Sequence, residues 1–326
     1  MRRREFVAGL AGMSAWSLAA PAQQSSIPGI GLLSSVRFET RRDQVAAFHR
    51  ALNEMGYVEG QNVRVQYRSA ENQVDRLPDL ARSLVDAQVS VMVTIGGDIT
   101  IRAAKDATST IPIIFVSGGD PIQNGFVSSL SRPDGNLTGI SFLVSFPVSK
   151  RLELLTNVVP HAAKIGVLVN PNNPNTARIT SGAREGAEAL ARKITIVGAS
   201  TEQEIEVAFE RFSNEKVQAI LIEADPFLLA RREQLVSLGA AQRLPAIYSF
   251  VEFVQAGGLM SYGTSLADAY HEAGTYAARI LKGEKPADLP VIQAAKFDLA
   301  INLKTAKELD LTIPPSLLAR ADEVIE

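Results

Sequence analysis

The chain has 326 residues, a formal net charge of −2 and 46% apolar residues, enough for two domains that each bury a core. That charge balance lacks the basic footprint of a nucleic-acid binder, and the absence of cysteine excludes thiolate zinc sites, disulfides and thiol catalysis. His49, His161 and His271 are far apart and fit no H-x-x-x-H or H-E-x-x-H spacing, so no metal site is expected.

The first 22 residues read as a signal peptide. Arg2-Arg3-Arg4 form a positive start, Phe6 to Leu18 an apolar core too short to span a bilayer, and Ala20-Pro21-Ala22 a small-residue cleavage site. Arg3-Arg4-Glu5-Phe6 fits the twin-arginine pattern as well as an ordinary secretory start. A periplasmic chain beginning near Gln23 is expected, without a lipid anchor because no cysteine follows the apolar core. No other segment is long and apolar enough to be membrane-embedded.

A strand at Ile30–Ser34 leads into a helix over Arg41–Met55, where Val45, Phe48, Leu52 and Met55 share a face and Gly56 ends the run. Strands follow at Asn62–Arg68, Val89–Ile95 and Ile111–Val116, separated by helices at Arg76–Ala87 and Ile99–Ala107. A short helix is expected over Asn124–Leu130, then the turn-rich stretch Ser131–Ser145 with a strand at Leu137–Phe142. The alternation restarts with helices at Val148–Val158, Ala177–Leu190, Glu204–Phe212 and Arg231–Gln242. Strands interleave at Ile165–Val169, Ile194–Val197, Ala219–Ile222, Ala246–Phe250 and Gly258–Tyr262. A long helix covers Leu266–Lys282, a strand pair lies around Val291–Ile301, and a last helix spans Lys304–Leu309.

Strands spaced by helices in two successive series give an α/β protein of two doubly wound parallel-sheet lobes. The halves also echo one another: Pro112-Ile113-Ile114-Phe115 matches Pro245-Ala246-Ile247-Tyr248, and Gly139-Ile140-Ser141 matches the stretch Gly258 to Ser261. Ser131–Ser145 is then one strand of a multi-strand hinge, Gly257–Gly263 a second, and a third crossing returns the tail near Ala295–Asn302. The expected lobes are residues 27–140 with 260–296, and residues 141–259 with 297–326.

In parallel sheets ligands sit at the carboxyl ends of the strands. That rule selects Ser34, Gly97, Asp98, Ser117 and Asp120 in the first lobe, Asn170, Asp225 and Tyr248 in the second, and Ser141 and Ser261 in the hinge. Ser35, Gly96, Gly118, Gly119, Asn172 and Tyr262 stand beside them. Hydroxyls, glycine amides at helix starts and a few acids suit a small polar molecule such as an amino acid. Asp120-Pro121 and Asp225-Pro226 are equally turn initiators or helix caps, and Tyr248 is equally a core residue. No G-x-S-x-G elbow, P-loop lysine or histidine at a strand end is present, so binding without catalysis and without a cofactor is expected.

Several stretches together resemble the substrate-binding proteins of ABC transporters with a type I periplasmic binding fold, the group that includes tryptophan- and tyrosine-binding members. They are Met55-Gly56-Tyr57-Val58-Glu59-Gly60, Asp75-Arg76-Leu77-Pro78, Ser131-Arg132-Pro133, Gly135-Asn136-Leu137-Thr138-Gly139, Ala256-Gly257-Gly258-Leu259-Met260-Ser261-Tyr262-Gly263, Ile301-Asn302-Leu303-Lys304 and Ile313-Pro314-Pro315-Ser316-Leu317. The resemblance implies a monomeric two-lobed receptor that closes on a small-molecule ligand and delivers it to an ABC permease with a cytoplasmic ATPase. One departure is Gly97-Asp98, where many relatives carry Gly-Thr; an acid there bears on how a ligand carboxylate is received. The alternatives are an extracytoplasmic ligand sensor for a membrane receptor and a Rossmann-like two-domain transferase.

Overall fold

The computed structural model describes residues 27–143, 147–294 and 296–326, so the expected signal peptide lies outside the described residues. The first series runs β1 (Gly29–Ser34), α1 (Arg42–Glu54), β2 (Arg64–Ser69), α2 (Leu77–Asp86), β3 (Val91–Ile95), α3 (Asp98–Ala107), β4 (Ile113–Ser117) and β5 (Leu137–Ser141). The second runs α4 (Val148–Val158), β6 (Lys164–Val169), α5 (Thr176–Ala189), β7 (Lys193–Gly198), α6 (Glu202–Asn214) and β8 (Ala219–Ile222). It continues through α7 (Pro226–Ala230), α8 (Arg232–Ala241), β9 (Ala246–Tyr248), α9 (Val251–Gln255) and β10 (Met260–Gly263). The tail supplies α10 (Leu266–Leu281), β11 (Ile292–Gln293), β12 (Asp298–Asn302), α11 (Leu303–Glu308), α12 (Pro315–Leu318) and β13 (Glu323–Ile325).

Two sheets result. The first has the order β11-β5-β4-β3-β1-β2 and is parallel throughout; the second has the order β13-β12-β10-β9-β8-β6-β7, with β12 antiparallel to β10. Strands β1, β3 and β4 are buried along their whole length, as near-continuous apolar runs covered by helices on both faces require. Helix α10 returns to the first lobe and lies against α1. Gly274 makes that approach possible, since a Cβ there would sit 2.5 Å from the Phe48 carbonyl oxygen and 2.8 Å from the Ala51 Cβ.

The chain crosses between the lobes after β5, after β10 and between β11 and β12. Met260–Gly263 hydrogen-bonds to β9 and β12, so this segment belongs to the second lobe, not to the first as the expected boundary at residue 260 had it. The expected strand pair in the tail is likewise divided: β11 joins β5 in one sheet and β12 joins β10 in the other. The short helix expected over Asn124–Leu130 is replaced by turns. Asp120 Oδ1 accepts from the Ile122 and Gln123 amides, Phe126 N–H bonds to the Pro121 carbonyl, and Gly125 takes φ +68°. A segment this short gains too little to nucleate a helix against such turn chemistry. Sheet register also shifts the internal echo by two residues. Phe115 pairs with Gly139 and Tyr248 with Ser261, so Ser261 corresponds to Gly139 and Ser141 to Gly263.

One buried ion pair fixes the second lobe next to its crossings. Arg151 on α4 donates from Nη2 to Glu223 Oε2 at 2.6 Å, both side chains 1% exposed, and from Nη1 to the Tyr262 carbonyl at 3.3 Å on β10. Arg151→Met leaves the Glu223 charge buried without its guanidinium and is expected to cost about 3–5 kcal/mol. Arg151→Met combined with Glu223→Gln is expected to recover part of that loss. Urea denaturation checks both; an unchanged midpoint for the single variant would show that the pair contributes nothing.

Candidate functional site

Because every strand of the first lobe, and every strand but β12 and β13 of the second, runs the same way within its sheet, β1, β3 and β4 of one lobe and β6, β8 and β9 of the other end on a single crevice. The crevice holds a cavity of about 140 Å³ lined from both lobes. Gly96 and Gly97, at φ +103° and +86°, form the turn from β3 into α3. A Cβ on Gly96 would lie 2.1 Å from Ser35 Oγ, and one on Gly97 would lie 3.0 Å from Pro226 Cγ of the opposite lobe. Glycine is needed twice here, first to pack the turn on the end of β1 and then to let the lobes meet.

Of the residues expected to bind ligand, Gly97, Asp98, Asn170 and Asp225 line the cavity, as do Ser35, Gly96, Gly118 and Asn172. Both aspartates are already engaged. Asp98 Oδ1 accepts from Ser117 Oγ at 2.7 Å, and Oδ2 accepts from Asn124 Nδ2 at 2.8 Å and from Asn175 Nδ2 at 2.9 Å. Asp225 caps α7 by accepting from the Leu228 amide at 2.9 Å, and takes Asn170 and Asn173 side-chain donors at 3.1 and 2.9 Å. Burial pushes the Asp225 carboxyl up, and these three donors oppose the shift.

The other expected contacts stand behind the wall of the cavity or away from it. Ser34 Oγ donates to the Val36 carbonyl at 2.6 Å, and Ser117 holds Asp98. Asp120 caps its own turn, and Ser141 Oγ donates to the Gly119 carbonyl at 3.1 Å. Tyr248 is a core residue stacked on Phe253 with ring centroids 4.5 Å apart, and Ser261 is 1% exposed in β10 beside it. Tyr262 stacks on Phe297.

The cavity residues that escaped the strand-end rule include Arg41, Asn72, Phe142, Phe250 and Tyr270. Arg41 ends a short 3-10 helix, Phe38–Arg41, that runs into α1, and Asn72 lies in a turn before α2; Phe142 and Phe250 follow β5 and β9; Tyr270 arrives on α10. Phe142 and Phe250 meet edge to face with centroids 6.2 Å apart. Burial pushes the Tyr270 phenol up to about 12, while Arg41 and the Gly96 amide pull the other way, so the hydroxyl stays neutral. The lining is mainly apolar, with Val36, Val74, Ile99, Phe227, Leu229 and Leu266 in it, and Asn173, Asn175 and Ser200 add polar groups.

Direct contacts draw the lobes together. Besides Asp98–Asn175, Arg41 Nη2 donates to the Pro226 carbonyl at 2.9 Å, Gln44 Nε2 to Glu252 Oε1 at 2.6 Å, and Arg178 to Gln123 Oε1. This is a closed arrangement. Among the described residues no group of His, Asp and Glu side chains could hold a metal ion, and no helix is long and apolar enough to cross a membrane.

Two sheets, three crossings and a cavity between facing strand ends define a type I periplasmic binding fold. Residues 29–325 match the family described as ABC transporter substrate binding protein, and the chain belongs to that family. A tyrosine-binding protein of Clostridioides difficile (strain R20291) is 27% identical over 282 residues, covering 86% of this chain and 81% of that protein. A conserved domain protein from Vibrio cholerae is similar in structure, with a TM-score of 0.84, 27% identity, and 92% and 100% of the two chains covered. So is an ABC domain from Streptococcus pneumonia in complex with L-Trp, with a TM-score of 0.83, 27% identity and the same coverage. The family is one of solute-binding proteins that work outside the cytoplasm, not of enzymes.

The lobe contacts generate two expectations. Asn175→Ala removes the bridge to Asp98 and is expected to shift the ligand-free population toward an open form by roughly 5- to 10-fold. The chain has no cysteine, so spin labels on Ile122→Cys and Ala177→Cys read the lobe separation without background. An unchanged distance distribution would remove Asn175 from the latch. The second expectation concerns pH. Burial pushes the Glu252 carboxyl above its ordinary value of 4.5; Asp43 adds to the shift, while its own backbone amide, Arg41 and Arg232 oppose it. Gln44 of the other lobe packs on Glu252, so closure adds to that burial and the closed form binds the proton more tightly than the open form. Closure is therefore favoured below pH 4.5 and weakens as pH rises through the raised value. The labelled chain is expected to be more closed at about pH 5 than at about pH 8, and Glu252→Gln to flatten the difference. Equal closure at both pH values in the parent chain would contradict this.

Proposed function

We propose that the chain is the extracytoplasmic ligand-binding component of an ABC uptake transporter, exported by residues 1–22 through the twin-arginine or ordinary secretory route. It works as a monomer, closing its lobes on one small molecule and presenting it to a permease driven by a cytoplasmic ATPase. The ligand is an amino acid or an aromatic or amide-like molecule with an apolar body and one polar end. A single observation carries this reading: the cavity between the lobes joins an aromatic and aliphatic wall to a small set of polar groups. The names of the relatives that bind tyrosine and L-Trp support the same ligand class.

From the strand-end set this reading keeps Gly97 and Asn170 as contacts, with Asp98 and Asp225 as fixed walls, and adds Arg41, Asn72, Phe142, Phe250 and Tyr270. Closing on the ligand shifts a two-state equilibrium by the ligand's preference for the closed form.

The test is a thermal-shift screen of the chain lacking residues 1–22 against amino acids, aromatic acids and small amides. A true ligand at 100 times its Kd is expected to add about 2.7 kcal/mol and raise the melting temperature by several degrees. Trp16, the sole tryptophan, is absent from that chain, so indole emission from the purified protein reports a bound tryptophan-like ligand directly. No shift with any of the three groups would overturn the ligand class.

A further inference from the structure

The polar groups around the cavity are unequally satisfied. Asp98 and Asp225 each accept three hydrogen bonds from fixed donors, and each sits at the start of a helix, where backbone N–H dipoles stabilise an anion. Arg41 differs. It is 4% exposed and lines the cavity, yet among the described residues its guanidinium makes one hydrogen bond, to the Pro226 carbonyl, and no ion pair within 4.0 Å. A guanidinium carries five N–H donors in a planar fork shaped for a carboxylate. None of its nitrogens is sealed away from the cavity without a partner. Glu252 and Asp225 act on this charge only through space, so a carboxylate in the cavity would give the guanidinium fork the direct partner that it lacks. Asn72 Oδ1 is a buried acceptor without a donor, and it is neutral.

On these grounds we infer that Arg41 anchors the ligand by its carboxylate and that the cleft reads a carboxylic acid, the α-ammonium of an amino acid being dispensable. The inference rests on the solute-binding reading above and narrows it. The carboxylate pairs with Arg41, the apolar body fills the space between Phe142, Phe250 and Tyr270, and Asn72 takes a hydroxyl or N–H of the ligand. An ammonium meets fewer free acceptors, because Asp98 and Asp225 each already accept three hydrogen bonds from neutral donors.

The experiment compares four probes of one shape by calorimetry on the full chain without its first 22 residues: 3-phenylpropanoate, L-phenylalanine, phenethylamine and 3-phenylpropanamide. The propanoate is expected to bind at least as tightly as phenylalanine, and the amine and the neutral amide at least about tenfold more weakly than the propanoate. Arg41→Met is expected to weaken propanoate binding by about 100-fold, and Arg41→Lys to keep part of the affinity, because the charge remains while the fork is lost. The ligand-free melting temperatures of both variants show that the fold persists. Phenylalanine binding more than about tenfold more tightly than the propanoate, or the amine matching it, would overturn the inference while leaving a solute-binding function in place. Binding of none of the four would overturn both the inference and the aromatic ligand class.

Discussion

Strand direction is the constraint on which the rest of this structure depends. A parallel βαβ unit brings every strand up to the same edge, and three crossings set two such edges facing each other. The cleft is a consequence of winding, before any side chain is chosen. Side chains then decide what the cleft can hold, and they come from the short loops that leave each strand. This is why glycines dominate the β3–α3 turn, where the backbone itself must pack on Ser35 and meet Pro226 across the gap.

The polar chemistry of the cleft divides into groups that hold the protein and groups left over. Asp98 stands at the start of α3 and joins β4 through Ser117, the loop after it through Asn124, and the opposite lobe through Asn175. Its charge is spent on assembling the closed form. Its oxygens each face neutral donors, so the acid at this position is tied into the wall of the cavity. Asp225 plays the matching part in the second lobe. The groups that face the cavity without such duties include a guanidinium, the Asn72 amide and an aromatic wall.

Much of the fold was legible because apolar periodicity and turn chemistry agree along most of the chain. The buried runs at Val91–Ile95 and Ala219–Ile222 and the amphipathic helices between strands follow directly from residue spacing. The errors lie where local signals compete or where distant pairing decides. Asn124–Leu130 carried apolar residues at plausible spacing, yet Asp120 and Gly125 bend it into turns. Met260–Gly263 reads as a strand from either side of the hinge, and only its hydrogen bonds to β9 and β12 assign it to a lobe. The site was half legible. Strand ends gave Gly97, Asp98, Asn170 and Asp225, but Tyr248 turned inward onto Phe253 and Ser141 onto the Gly119 carbonyl. Arg41 stood at a predicted helix start, a signal too common to single out. Tyr270 gave no local signal, since it reaches the cleft only because α10 crosses back to the first lobe.

The central claim is that the two lobes close on a ligand held between them. Small-angle X-ray scattering of the chain without its first 22 residues, with and without a saturating ligand, tests it most directly. A smaller radius of gyration is expected in the bound state, with a scattering curve that matches the closed structure. Identical curves with and without a ligand that demonstrably binds in the cleft would contradict it.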